Sequence, residues 1–132
     1  MELERICITG IINTYAISCV KKEFQKAADE LWKDEKPWER YQKKLIKNLA
    51  VLEQEKERAI DLQQFEKLSG TDKLYCIRYP RAKKNIRVIY TIENDKIILL
   101  VAFLERGDGD YQKAINVARK RLKWLNSYII FI

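Results

Sequence analysis

Three patterns in this chain predict an α+β fold. Apolar residues recur at three- and four-residue intervals through much of the first half, alternate or run together between Leu74 and Leu104, and return to helical spacing after Tyr111. The expected order is an N-terminal strand, a helical hairpin, a three-stranded antiparallel sheet and a C-terminal helix. A chain of 132 residues with 47% apolar content is sized for a single domain over 1–132 with one core. Only 4 Gly and 2 Pro occur, and no stretch is rich in Ser, Gly or Pro, so no linker or disordered tail is expected.

The apolar run from Ile6 to Val20 has an acidic flank (Glu2, Glu4) and is interrupted by Asn13, Thr14 and Ser18, which argues against a signal peptide or a membrane span. Its β-branched content predicts a strand near Asn13 to Val20, with the preceding residues forming a further strand or arm. From about Lys22 the period changes: Phe24, Ala27, Ala28, Leu31 and Trp32 mark a short amphipathic helix. Pro37, preceded by Asp34 and Glu35, suits the first turn of a second helix, where a missing N–H costs nothing and negative charge is favourable. Trp38, Tyr41, Leu45, Leu49 and Leu52 form its buried stripe, and the charged residues Glu53 to Arg58 are expected to carry it on toward Ile60.

Ser69 to Asp72 is a turn cluster. In the strand that follows, Leu74, Cys76 and Arg78 lie on one face and Tyr75, Ile77 and Tyr79 on the other. Arg81 to Asn85 reads as a basic hairpin loop. Ile86, Val88, Tyr90 and Ile92 then share one face of the next strand, opposite Arg87, Ile89 and Thr91, which directs Tyr90 into the packing beneath the sheet. Glu93, Asn94 and Asp95 supply another turn, and Lys96 to Leu104 is almost continuously apolar, the pattern of a central strand covered on both sides. After Gly107 to Asp110, Tyr111, Ala114, Ile115, Ala118, Leu122 and Leu125 mark the final helix. Tyr128 to Ile132 is a short apolar tail suited to adding a strand or meeting a partner.

Charge divides the chain unevenly. Lys73 to Ile132 holds 13 Lys/Arg against 5 Asp/Glu, a balance of +8, whereas Met1 to Asp72 holds 13 against 14, or −1. Between Lys73 and Ile92 six cations (Lys73, Arg78, Arg81, Lys83, Lys84 and Arg87) occur without a carboxylate, interleaved with Tyr75, Tyr79 and Tyr90. Such alternation suits phosphates and bases, so nucleic acid, RNA first, is the leading partner. Arg119, Lys120, Arg121 and Lys123 make the last helix basic, which serves either nucleic-acid contact or the helix dipole.

The chain has no histidine, and Cys7, Cys19 and Cys76 form no CxxC pair. That argues against a structural zinc site, a Ser/His/Asp triad, a Cys/His dyad and paired catalytic histidines. The cysteines read as small core residues in a reducing cytosol.

The segment FEKLSGTDKLYCIRYPRAKKNIRVIYTIENDKIILLVAFLERGDGDYQKAINVARKRL, residues 65 to 122, resembles the core of the RelE/ParE/HigB toxin superfamily, nearest the RelE and HigB-like members. The resemblance is carried by Leu74 with Arg78, Arg87 with Tyr90, Phe103 leading into Glu105-Arg106, and Tyr111 with Ala114 and Ala118. The first 60 residues agree in element order only. The resemblance implies a RelE-like fold and a cytoplasmic toxin of a type II toxin–antitoxin pair, an endoribonuclease that cuts mRNA, often on the ribosome, without metal or other cofactor. It also implies a cognate antitoxin encoded next door, with operator DNA bound only through that antitoxin, and no membrane partner.

Such cleavage needs a 2′-hydroxyl deprotonated, a phosphorane stabilised and a leaving 5′-oxygen protonated. Arg78, Arg87 and Arg106 are the candidate phosphate clamp, because guanidinium donors match phosphate oxygens. Tyr111 occupies the family's C-terminal tyrosine position, suited to stacking or to assisting proton transfer. Glu105 stands where many HigB-like relatives have lysine, and reads either as a general base or as an ordinary salt-bridging residue. Lys73, Arg81, Lys83, Lys84, Arg119 and Arg121 are the candidate RNA contacts. Two alternatives stand beside this reading: a ParE-like gyrase poison without nuclease activity, and a catalytically inactive binding module.

Overall fold

A computed structural model describes residues 1–29, 37–70, 73–80 and 85–129. Leu31, Trp32, Asp34, Glu35, Arg81, Lys83, Lys84 and the last three residues of the apolar tail lie outside the described residues. The strands are β1 (Leu3–Arg5), β2 (Thr14–Ile17), β3 (Phe65–Lys67), β4 (Tyr75–Arg78), β5 (Ile86–Glu93) and β6 (Lys96–Leu104). The helices are α1 (Val20–Asp29), α2 (Pro37–Glu55) and α3 (Asp108–Ile129), with a 3₁₀ segment at Lys56–Asp61. The strands form one sheet in the order β1-β2-β6-β5-β4-β3, antiparallel except that β2 runs parallel to β6.

The α+β class is observed, and β4, β5 and β6 are the antiparallel centre that the alternation predicts. β6 sits between β2 and β5 and is buried over its middle, as a continuous apolar run requires. Asn94 and Asp95 join β5 to β6 with φ of 50° and 63°. Positive φ at both central residues is the two-residue hairpin geometry whose twist matches the strands, and Asn and Asp tolerate it best after Gly.

The sheet has six strands where a smaller one was expected. β1 and β3 are three residues each, too short to display a period of two. The first substantial strand is also shorter than Asn13 to Val20, because Val20 already opens α1. The start of β2 is tied to α2: the Asn13 N–H and the buried Thr14 hydroxyl both donate to Glu53 Oε1, at 2.7 and 2.8 Å. α2 does begin at Pro37 but ends at Glu55, short of Ile60. Lys56 adopts a left-handed φ of 53°, which breaks the helix and starts the 3₁₀ turn. At the other terminus α3 continues to Ile129, so the start of the apolar tail is helix and not an added strand.

The two faces of the sheet are unlike. Phe24 of α1, Tyr41 of α2 and Tyr79 form one buried aromatic group, with Tyr41 and Tyr79 edge to face at 5.5 Å. Tyr75 stacks on Tyr90 at 5.3 Å, with Phe65 edge-on to Tyr90. Tyr90 is fully buried, as its strand position predicts. On the opposite face, α3 packs on β5 and β6 through Ala114, Ala118 and Leu125. The cysteines divide: Cys76 is buried in the core, Cys19 is partly buried and Cys7 is exposed, so only Cys76 fits the core reading fully.

Candidate functional site

Register decides which side chains meet. Across the β4/β5 ladder Arg78 lies directly opposite Arg87, and Arg87 lies opposite Phe103 of β6, so all three point from one face. On β3, Glu66 lies opposite Cys76, two residues before Arg78, and therefore shares that face. Two arginines directly opposed would repel, and Glu66 lies between them: Oε2 is 3.9 Å from Arg78 Nη1 and Oε1 is 3.8 Å from Arg87 Nη1. Glu105, just past β6, accepts from Arg87 Nε at 2.5 Å. Of its two sequence readings, salt bridging is what the geometry displays.

Tyr111 closes the group from above. The loop before α3 is fixed by Asp110, whose Oδ2 accepts the N–H groups of Arg106 and Gly107 at 2.9 and 3.2 Å, as a third-position carboxylate does in a helix capping box. The next residue, Tyr111, donates its hydroxyl to Glu66 Oε1 at 2.8 Å. Its ring lies 5.3 Å from the Arg87 guanidinium carbon and meets Phe103 edge to face at 5.6 Å. The cluster thus draws on β3, β4, β5, the end of β6 and the first turn of α3.

Electrostatics keep this group in defined protonation states. Burial raises the Tyr111 hydroxyl far above the usual tyrosine range, helped by Cys76 and by its hydrogen bond to Glu66, so the phenol keeps its proton and acts as a neutral donor. Burial alone would lower the Arg87 guanidinium, but the Glu105 hydrogen bond and neighbouring groups outweigh it and hold the charge more firmly. Beneath them the Cys76 thiol is pushed up to about 12, chiefly by burial, and is a neutral part of the floor.

The cluster is not saturated. Arg87 Nη1 and Arg78 Nε are buried and have no hydrogen-bond acceptor among the described residues, although Arg78 Nη2 donates to the Gln63 carbonyl at 2.7 Å. Both side chains are nevertheless partly exposed, and guanidinium groups at the rim of a surface hollow suit an anion supplied from outside. Arg78 and Arg87 line such a hollow, of about 150 Å³, with Gln63 and Asn85.

The other expected site residues are dispersed. Arg106 borders a separate hollow of about 320 Å³ with Glu23, Lys26 and Asp110. Lys73 pairs with Glu93 at 3.3 Å, and Arg119 donates to the Gly70 carbonyl at 3.2 Å; both remain largely exposed. Arg121 is turned inward, paired with both oxygens of Glu23 at 2.8 and 2.9 Å and bonded to the Leu100 carbonyl at 2.7 Å. Three of its donors are engaged in holding the fold, which does not suit the RNA contact read from the sequence. Arg81, Lys83 and Lys84 fall outside the described residues.

Glu66 was passed over by the sequence reading. Nothing in its spacing marks it, and only recognition of the short β3 strand would have brought it beside Arg78. No set of three or more Cys, Asp or Glu side chains is placed to hold a metal ion among the described residues, and no helix there is long and apolar enough to cross a membrane.

No curated protein and no solved structure matches the chain. A family model described as "Phage derived protein Gp49-like (DUF891)" matches residues 34–123, which include all of α2, the strands β3 to β6 and most of α3. By that match, spanning more than half its length, the chain belongs to the phage-derived Gp49-like family.

Proposed function

We propose that this chain is the toxin of a type II toxin–antitoxin pair, a metal-independent endoribonuclease acting on mRNA, in association with the ribosome. The observation that carries the reading is the convergence of Arg78, Arg87 and Glu66 beneath Tyr111, on a face where two guanidinium groups keep buried donors unsatisfied. Membership of the Gp49-like family and the resemblance of residues 65–122 to the RelE and HigB-like toxins support it.

In this reading the scissile phosphate enters beside Arg78 and Arg87, whose solvent-facing guanidinium edges take its non-bridging oxygens and stabilise the phosphorane. Glu66, the carboxylate within ion-pair reach of both arginines, accepts the 2′-hydroxyl proton. The 2′-oxygen then bonds to phosphorus and the bond to the 5′-oxygen breaks as that oxygen takes a proton from solvent water, leaving a 2′,3′-cyclic phosphate and a 5′-hydroxyl end, after which Glu66 returns its proton to solvent. Tyr111, protonated throughout, donates to the reacting groups and offers its ring to a flanking base. Arg106, Lys73 and Arg119 serve RNA binding, while Arg121 belongs to the scaffold. A cognate antitoxin with an acidic or amphipathic segment would neutralise this face, and any operator binding would run through it.

Mapping RNA 5′ ends after brief induction tests the reading. The wild-type chain should generate new ends within messages, and Arg87→Ala should not. Intact messages accompanied by DNA breaks would instead identify a gyrase poison and overturn the nuclease assignment.

A further inference from the structure

A second hollow adjoins the one beside Arg78 and Arg87. Gln63, Arg78, Tyr79 and Pro80 also line this second hollow, of about 380 Å³, whose far wall is α2 with Lys44, Lys47 and Asn48. The two hollows therefore adjoin, with these four residues bordering both. Among the described residues four cations line them (Lys44, Lys47, Arg78 and Arg87), along with the amides of Asn48, Gln63, Gln64 and Asn85, and no carboxylate lines either one.

The two lysines are poised for an external partner. Lys44 and Lys47 are exposed and one helical turn apart, on a stretch of α2 with no acidic residue between Glu39 and Glu53. Lys44 lies 5.8 Å from the Tyr41 ring centroid, and neither lysine joins an ion pair among the described residues. By contrast Lys73, Arg78, Arg87 and Arg121 each face a glutamate. Cations without carboxylates nearby, set along a trough, are what a polyphosphate strand neutralises. The amides of Asn48, Gln63, Gln64 and Asn85 in the lining can bond base edges, which a single strand leaves open.

We propose that Lys44 and Lys47 of α2 form, with Arg78, a track for the sugar–phosphate backbone of single-stranded RNA, delivering the chain to the Arg87 cluster. This rests on the ribonuclease reading and adds to it a binding path contributed by the half of the chain that carries no net basic charge. The lysines position substrate and take no part in bond breaking.

The test uses the intact protein and a short single-stranded RNA made uncleavable by 2′-O-methylation. Binding is measured over a salt series for wild type, Lys44→Ala/Lys47→Ala, Lys44→Arg/Lys47→Arg and Arg87→Ala. The double alanine variant should bind about tenfold more weakly and lose about 1.4 from the slope of log affinity against log salt, two single-strand phosphate contacts. The double arginine variant should restore both. Unchanged affinity and slope in the double alanine variant, with Arg87→Ala impaired, would overturn the track and leave the ribonuclease reading standing. Equal loss of binding to a polyglutamate peptide, with RNA unaffected, would assign the trough to an acidic protein segment instead. A wild-type protein that leaves RNA unbound and messages uncut would remove track and reading together.

Discussion

Two arginine–glutamate pairs flank the central strand β6, and they are finished differently. Beyond Leu99, β2 no longer pairs with β6, which leaves backbone groups on that edge open. Arg121 and Glu23 close it: Arg121 donates to the Leu100 carbonyl, Glu23 accepts from the Ala102 N–H at 3.2 Å, and the two side chains bind each other through two parallel contacts. On the other side of β6, Arg87 meets Glu105 through Nε alone, approaches Glu66 only to 3.8 Å, and keeps Nη1 without an acceptor. Exposure does not separate the pairs, since the arginines are 15% and 19% exposed and their glutamates 27% and 23%. What separates them is completeness: a satisfied pair braces backbone, whereas an unsatisfied one retains capacity for a ligand.

That contrast can be broken experimentally. Arg87→Ala should lower RNA cutting by about 10²–10³-fold, the usual cost of losing a donor aimed at developing charge, with a smaller loss of stability. Arg121→Ala should do the reverse. Denaturant unfolding should report a loss of roughly 2–3 kcal/mol, below the 3–5 kcal/mol of a fully buried pair because Glu23 keeps some solvent, while cutting per folded molecule is retained. Equal effects of the two substitutions on cutting would erase the distinction.

Smaller changes sharpen it. Tyr111→Phe keeps the ring over Arg87 and against Phe103 but frees Glu66 of its hydroxyl donor. Stability should fall by about 1 kcal/mol and cutting by about tenfold, measured by thermal unfolding and single-turnover assays. Glu105→Gln should have the least effect: with the competing charge removed from Arg87, affinity for inorganic phosphate should rise by about two- to fivefold in calorimetric titration. A weakened affinity would mean that Glu105 orients the guanidinium and does not compete with the anion.

Much of the architecture was legible because long elements carry their own period. β5 and β6, eight and nine residues, displayed alternation and continuous burial in their apolar spacing, and Asn94-Asp95 announced the turn between them. Alternation gave Arg78 and Arg87 each a face of its own strand, but that the two faces coincide was set by the β4/β5 register. Glu66 was illegible for the opposite reason: a three-residue strand after a 3₁₀ turn has no period to read, and its neighbours are set by long-range pairing. Arg121 looked like its basic neighbours on α3, and only the approach of Glu23 from the first helix turned it inward. Residue type and spacing show which groups share an element's face; which groups from distant elements complete them is decided by packing.

The buried thiol under the arginines has a practical consequence. Cys76 is fully enclosed and, with its ionisation displaced to about 12, contributes almost no thiolate at neutral pH, whereas Cys7 is open to solvent. Alkylation at Cys76 must therefore wait for the sheet to part, so its rate, referenced to instantaneous labelling at Cys7, becomes a native clock for how often the ground beneath the cluster opens.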